Sequence, residues 1–225
     1  MTQRSYRQIC GVAKALDLIG ERWTLLIVRE LLLGPKRFGA LREAMPGISA
    51  NLLSARLRAL TEAGVIERIE LPAPAAVEAY ALTERGEGLR PVVDSLALWG
   101  YELLKPKTEY EQGWEARPSW LTSTLAAAAD PAALAGLDGR TFNFAVDGDL
   151  FTVRVSDGVA RVRHGVLDDP DAALVTDLRS YVELATGETE AEDDELLASL
   201  FAILADAEPR PGGHCDRHAG SFRQR

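Results

Sequence analysis

Ser49-Ala-Asn-Leu-Leu-Ser-Ala-Arg-Leu-Arg-Ala-Leu-Thr-Glu-Ala63 decides how the first half of this chain is read. Leu53, Leu57 and Leu60 recur at i, i+4 and i+7, the spacing that buries one stripe of a helix. Asn51, Ser54, Ala55 and Arg58 fall on the surface left outward, where short polar and basic side chains suit base edges and phosphates. The stretch predicts a helix shaped to enter a groove of DNA.

Upstream, residues 12–19 and 23–33 read as two apolar helices, broken at Gly20 and stopped by Gly34-Pro35, that form core scaffolding. Residues 38–45 supply a short helix with Phe38, Leu41 and Met45 inward. Pro46-Gly47 then turns the chain, and Ser49 stands where an N-cap is needed. This is helix-turn-helix spacing. Downstream of Gly64, segments 65–71 and 77–82 are rich in strand formers and separated by Pro72-Ala-Pro74, a hairpin that makes a wing. Thr83 caps a last helix carrying Leu89, Val92, Val93, Leu96, Trp99 and Leu103, a stripe too apolar for a lone surface helix. In a protein that reads DNA the economical partner is a second copy, so these residues are the expected homodimer interface.

Residues 105–118 are polar and punctuated by Pro106, Gly113 and Pro118, the composition of a linker between a domain at 1–104 and another at 119–206. In the second domain, 120–129 reads as a helix and Asp130-Pro131 opens a further turn that closes at Gly136. Segments 141–147, 151–156 and 159–163 alternate and are joined by Asp147-Gly148 and Asp157-Gly158, strong hairpin signals. A strand at 172–176 and helices at 178–186 and 194–205 complete an α+β domain. The Pro/Gly/polar stretch 207–225 reads as a disordered tail.

With 225 residues, 47% of them hydrophobic, the chain can fill two cores. It has no long uncharged apolar run and no secretory core at its start, which points to the cytoplasm and away from a membrane partner. Cys10 and Cys215 are too few and too far apart for a disulfide framework. The net charge of −9 is unevenly held: residues 1–104 carry 13 Lys+Arg against 12 Asp+Glu, whereas 105–225 carry 12 against 22. Any phosphate-binding surface is therefore local.

No nucleophile elbow, P-loop or dinucleotide-binding glycine motif occurs. His164 has no nucleophile beside it, and Asp168 and Asp169 suit a turn, so the chain reads as a non-enzyme without a cofactor. His214-Cys215-x-x-His218 offers too few ligands for a closed metal site, and the acids from Glu188 to Glu195 read as a solvated loop.

Residues 7–104 resemble the HxlR family of winged helix-turn-helix regulators. The resemblance rests on Cys10, Leu18-Ile-Gly-Glu-Arg-Trp-Thr-Leu-Leu-Ile27, Leu33-Gly-Pro-Lys-Arg-Phe38, Pro46-Gly-Ile-Ser49, Leu57-Arg-Ala-Leu60, and Leu82-Thr83 followed by Gly86 and Leu89-Arg-Pro-Val92. It implies a homodimer whose recognition helices enter successive major grooves of a pseudo-palindromic operator, with the wings on the flanking backbone. Wings of this family usually carry a basic residue near the tip; residues 71–79 have none and add Glu78. Phosphate neutralisation then falls to Lys36, Arg37, Arg42, Arg56 and Arg58, which join Ser49, Asn51, Ser54 and Ala55 as the expected DNA-binding set. Glu43 and Glu62 are acids positioned to compete for Arg56 and Arg58. Cys10 occupies the place where some members carry a redox-sensing thiol, although Gly11 replaces the proline common after it.

Residues 138–188 resemble the sterol carrier protein fold through Asp138-Gly-Arg-Thr-Phe142, Val159-Ala-Arg-Val-Arg-His-Gly165, Pro170-Asp-Ala-Ala-Leu-Val-Thr-Asp177 and Leu184-Ala-Thr-Gly-Glu188. That resemblance implies an apolar cavity for a lipophilic small molecule. Relatives usually continue with a Gly-containing strand, where residues 189–195 form an acidic run. The combined expectation is an α+β chain, an N-terminal winged helix-turn-helix domain followed by a sterol-carrier-like domain. It would act as a homodimeric repressor of operator DNA controlled by a lipophilic effector, by oxidation of Cys10, or both. The alternative is a lipid-binding or carrier protein whose winged helix mediates protein contacts, against which the face from Ser49 to Arg58 weighs.

Overall fold

The leucine stripe closes a helical core. In the computed structural model, which describes residues 5–72, 76–104, 112–191 and 194–207, the first elements are α1 (Gly11–Ile19), α2 (Thr24–Leu32), α3 (Phe38–Glu43) and α4 (Ala50–Glu62). Leu53, Leu57 and Leu60 of α4 are buried together with Ile27, Val28 and Leu31 of α2 and with Leu41, Met45 and Ile48. Ser49 caps α4 as its spacing requires: its Oγ accepts the Leu52 N–H at 3.3 Å, satisfying a helix-end donor.

The hairpin follows as β1 (Ile66–Glu70) and β2 (Glu78–Leu82), antiparallel with Ile66 opposite Leu82 and Glu70 opposite Glu78. Lys36 adds a one-residue third arm: its N–H donates to the Tyr80 carbonyl at 3.0 Å and its carbonyl accepts the Tyr80 N–H at 2.8 Å. The last helix is broken in two, α5 (Glu84–Glu87) and α6 (Arg90–Tyr101). Thr83 anchors the first piece. Its Oγ1 accepts the Gly86 N–H at 3.2 Å and donates to the Gly64 carbonyl at 2.7 Å, which pins one turn of helix against the start of β1. A Cβ at Gly86 would lie 2.1 Å from the Val65 carbonyl oxygen, so only glycine fits there.

One expectation is corrected. The helix read at 12–19 as core scaffolding forms, but only Ala13 and Ile19 of α1 are buried, while Val12 and Leu16 face outward and the preceding Ile9 is fully exposed. The apolar period is real, but most of its stripe is not part of the first unit's core. Asp17 ties the preceding arm back to α1, accepting from Ser5 Oγ at 2.8 Å and from the Tyr6 N–H at 2.9 Å. These bonds hold its carboxyl below the ordinary value.

The chain divides into two compact units, 1–95 and 96–225, with the division inside α6. The second unit contains α7 (Pro118–Ala128), α8 (Pro131–Leu134) with a 3-10 turn (Ala135–Leu137), then β3 (Thr141–Val146), β4 (Asp149–Ser156), β5 (Val159–His164), β6 (Ala172–Thr176), α9 (Leu178–Ala185) and α10 (Glu195–Asp206). The sheet order is β5-β4-β3-β6, antiparallel through β5, β4 and β3, with β6 parallel to β3. Both hairpins are the two-residue turns their Asp-Gly pairs predict: Asp147 and Gly148 have φ of 45° and 87°, and Asp157 and Gly158 have 53° and 68°.

Alternation puts Phe142, Phe144, Phe151, Val153 and Val162 on the buried face of the sheet. Aromatic rings fill the space between sheet and helices. Phe144 stacks on Phe151 at 5.0 Å, and Tyr181 of α9 and Phe201 of α10 meet Phe144 edge-on at 5.7 and 5.9 Å. Thr122 spends its proton on the Pro118 carbonyl at 2.7 Å, so the Tyr181 O–H donates to the Thr122 oxygen. Burial pushes the Tyr181 phenol well above its ordinary value. Among the described residues no helix is long and apolar enough to cross a membrane. The wing tip at 73–75, most of the expected linker (105–111), Glu192 and Asp193 of the acidic loop, and the tail with His214, Cys215 and His218 lie outside the described residues.

Candidate nucleic-acid interface

Because α4 buries its leucines, it must present the opposite surface, and Asn51, Ser54, Ala55 and Arg58 are all exposed on it. Ser49 is exposed at its N-terminus with its hydroxyl oxygen occupied by the cap. Arg37 and Arg42, at the two ends of α3, are exposed as well. Six residues of the expected set therefore stand free at the surface, apart from the capping Ser49: Arg37, Arg42, Asn51, Ser54, Ala55 and Arg58. Small residues at 54 and 55 let the helix backbone approach a base edge, while Asn51 and Arg58 offer the amide and guanidinium that hydrogen-bond bases or phosphates.

Two of the expected cations are placed differently. Lys36 is buried, with its Nζ 3.5 Å from Oε2 of Glu30, a carboxylate that is itself fully buried on α2. Arg29 closes the cluster, donating to Glu30 Oε1 from Nη2 at 2.8 Å and from Nε at 3.1 Å. The reason is backbone geometry: pairing with Tyr80 on β2 directs the Lys36 side chain inward, where it neutralises a carboxylate that would otherwise be prohibitive to bury. Arg56 is held at 2.7 Å by Glu21, rather than by Glu43 or Glu62. Glu21 lies in the turn between α1 and α2, and helical spacing within α4 carries no signal for it. Glu30 had only one trace in the sequence, a charge set among the leucines of an apolar helix.

The wing strands contribute Arg68, which pairs with Glu78 at 3.5 Å and lies over the Tyr80 ring at 5.6 Å. The apolar stripe of α6 splits by direction. Leu89 and Val93 pack against the core of the first unit, whereas Val92, Leu96, Trp99 and Leu103 are exposed, Trp99 by 67%. No residue of α6 is fully buried. Cys10, the residue before α1, is exposed.

In the second unit His164 does have a hydroxyl beside it, from a residue distant in sequence: its Nε2 is 3.0 Å from Ser119 Oγ and 3.6 Å from Asp149 Oδ1. Both of these contacts fall on Nε2, and Ser119 is fully buried. Open depressions occur among the described residues of this unit. One of about 310 Å³ is lined by Glu115, Arg117, Asp147 and Asp149 among others, and one of about 230 Å³ lies between Ala128, Ala133 and Ala202. Among the described residues no group of three or more His, Cys, Asp or Glu is placed to hold a metal ion.

A family model described as HxlR-like helix-turn-helix matches residues 18–108. The uncharacterized HTH-type transcriptional regulator YvaP of Bacillus subtilis (strain 168) is 38% identical over 94 residues, covering 41% of this chain and 86% of that protein. The uncharacterized HTH-type transcriptional regulator Mb3122 of Mycobacterium bovis is 44% identical over 99 residues, 44% of this chain, and the match spans 61% of that protein's length. Among solved structures, the reduced form of the transcriptional regulator YodB from B. subtilis is 35% identical with a TM-score of 0.38, covering 44% of this chain and 98% of that one.

Proposed function

Because this chain belongs to the HxlR-like helix-turn-helix family, and is therefore a DNA-binding transcriptional regulator, we propose that it acts as a homodimeric repressor. Its α4 helices would enter two half-sites one helical turn apart. The observation that carries this reading is the exposed Asn51, Ser54, Ala55 and Arg58 face on a helix whose other side is anchored in the core. Asn51 and Arg58 make the base and phosphate contacts, Arg37 and Arg42 add backbone contacts, and the exposed stripe of Val92, Leu96, Trp99 and Leu103 supplies the interface between copies. The outward apolar residues of α1, Ile9, Val12 and Leu16, extend that interface.

Two inputs modulate affinity. Oxidation of Cys10 is open to small oxidants because the thiol is exposed at the base of α1. A lipophilic effector would bind the second unit, whose sheet order and helical layer support the sterol-carrier-like reading. The rings of Phe144, Phe151, Tyr181 and Phe201 fill the sheet-helix space, so such a ligand binds by parting them. Selection of bound sequences from random DNA should return a two-fold motif. Asn51→Ala and Arg58→Ala should each weaken binding to it by roughly 5- to 150-fold, the worth of one good base contact. Intact low-salt binding in both variants would refute the groove assignment.

A further inference from the structure

The second unit belongs to the acidic half of the chain, yet the face of its sheet turned away from the helices is basic. Arg154 on β4 and Arg161 and Arg163 on β5 are exposed on it. Arg154 and Arg161 are register partners, so two guanidiniums leave one face from Cα atoms about 5 Å apart. Arg163 follows two residues along the outermost strand, about 7 Å further on. Like charges set directly opposite lower the stability of a sheet. Among the described residues no carboxylate forms an ion pair with Arg154 or Arg161. Across β3, Asp171 is engaged by Arg140 at 2.7 Å and by the Thr141 N–H at 2.8 Å.

Within the helix-turn-helix unit the candidate DNA-binding set is meanwhile short of available cations. Lys36 and Arg56 are held by Glu30 and Glu21, Arg68 is paired with Glu78, and the sequence of the wing tip holds no base. Arg37, Arg42 and Arg58 are what the candidate set leaves for phosphates.

Resting on the DNA-binding reading, we propose that the β4–β5 ribbon is a second contact to DNA. Arg154, Arg161 and Arg163 grip the phosphodiester backbone of duplex flanking the half-sites. Guanidinium is suited to this because its planar fork donates two hydrogen bonds to one phosphate and cannot be deprotonated. Charge complementarity favours a polyanion over a protein partner. Thr141 and Thr152, in register with these arginines, are buried, and the exposed aliphatic side chains of the same face, Leu150, Val159 and Val175, stand at the ends of their strands rather than among the arginines.

The test uses the full chain and the selected operator in two duplexes, the half-sites alone and the half-sites with roughly one helical turn of flank on each side, about 10 base pairs. Kobs is measured against salt for the wild-type protein and for the triple variant Arg154→Gln, Arg161→Gln, Arg163→Gln. On the flanked duplex the triple variant should flatten the log-log salt slope by about 3 to 5 for a dimer and weaken binding at fixed salt by at least about tenfold; on the short duplex the two proteins should coincide. Wild-type protein alone should show a steeper slope on the flanked duplex than on the short one, a readout independent of any variant. Equal slopes on both duplexes for both proteins would overturn the proposal and leave the patch as a docking face for an acidic protein. Wild-type protein that binds neither duplex refutes the DNA reading itself. The triple variant should melt no lower than wild type, since it relieves a like-charge pair.

Discussion

Replacing Glu30 by Ala removes the carboxylate that neutralises Lys36 and Arg29 inside the first unit. Glu30 is fully buried and Lys36 is 9% exposed, so the ammonium would be left in the core without its counter-charge. Breaking a buried pair from one side costs about 3–5 kcal/mol. Arg29 is 27% exposed and can turn to water, which places this case near the lower end, about 3 kcal/mol. For a unit of this size that corresponds to a melting temperature lowered by roughly 10–20 °C. The double variant Glu30→Leu, Lys36→Met removes both charges together and should recover most of the loss, ending within about 2 kcal/mol of wild type. Thermal unfolding followed by near-ultraviolet circular dichroism separates these outcomes. The same double variant then decides what Lys36 does on DNA. As an internal counter-ion it leaves the salt slope of operator binding unchanged, whereas two lost phosphate contacts in a dimer would flatten it by about 2. A well-folded double variant with a flattened slope would refute the placement of Lys36 argued from its pairing with Tyr80.

Gly86→Ala should lower the stability of the first unit by at least about 1–3 kcal/mol, because a methyl 2.1 Å from the Val65 oxygen forces β1 and α5 apart; denaturant unfolding measures it. Trp99→Glu should shift the protein toward monomer in analytical ultracentrifugation and reduce operator affinity with it, while a dimer of unchanged strength would move the interface elsewhere. Asp171 is held down to about 2, first by the Arg140 guanidinium and then by Thr141, and Asp17 is lowered by Tyr6 and Ser5. A carboxyl depressed in the folded state stabilises above its unfolded value near 4 and loses that contribution as pH falls toward 2. Acid titration of melting temperature should therefore steepen between those limits, and Asp171→Asn should be less stable than wild type at neutral pH and converge with it in acid.

Much of this architecture is legible in local signals. The leucine spacing of α4, the Ser49 cap and the two Asp-Gly turns each act within a few residues, so the helix, its start and both hairpins follow from the sequence. Contacts that join distant residues do not. Helical spacing made 12–19 look like core because it reports that a stripe is apolar, not what covers it. The Lys36 and Arg56 partners lie in other elements, and charge counting treated both as available to phosphate. The close approach of the Val65 carbonyl to Gly86 joins two elements, and no pattern within 83–103 encodes it. The arginine face is written as an Arg-Val-Arg strand, and it became visible only once register set Arg154 opposite Arg161.

The division between the two units falls inside a continuous helix instead of a loop. A loop absorbs strain by rotating about single bonds, but a hydrogen-bonded rod transmits twist and thrust along its axis. Each turn of α6 beyond Ser95 adds about 5 Å of rod along that axis. The exposed residues Leu96 and Trp99 ride on the same turns. Such a segment fixes where Leu96 and Trp99 stand relative to Val93, because residues on one rod cannot turn about its axis separately.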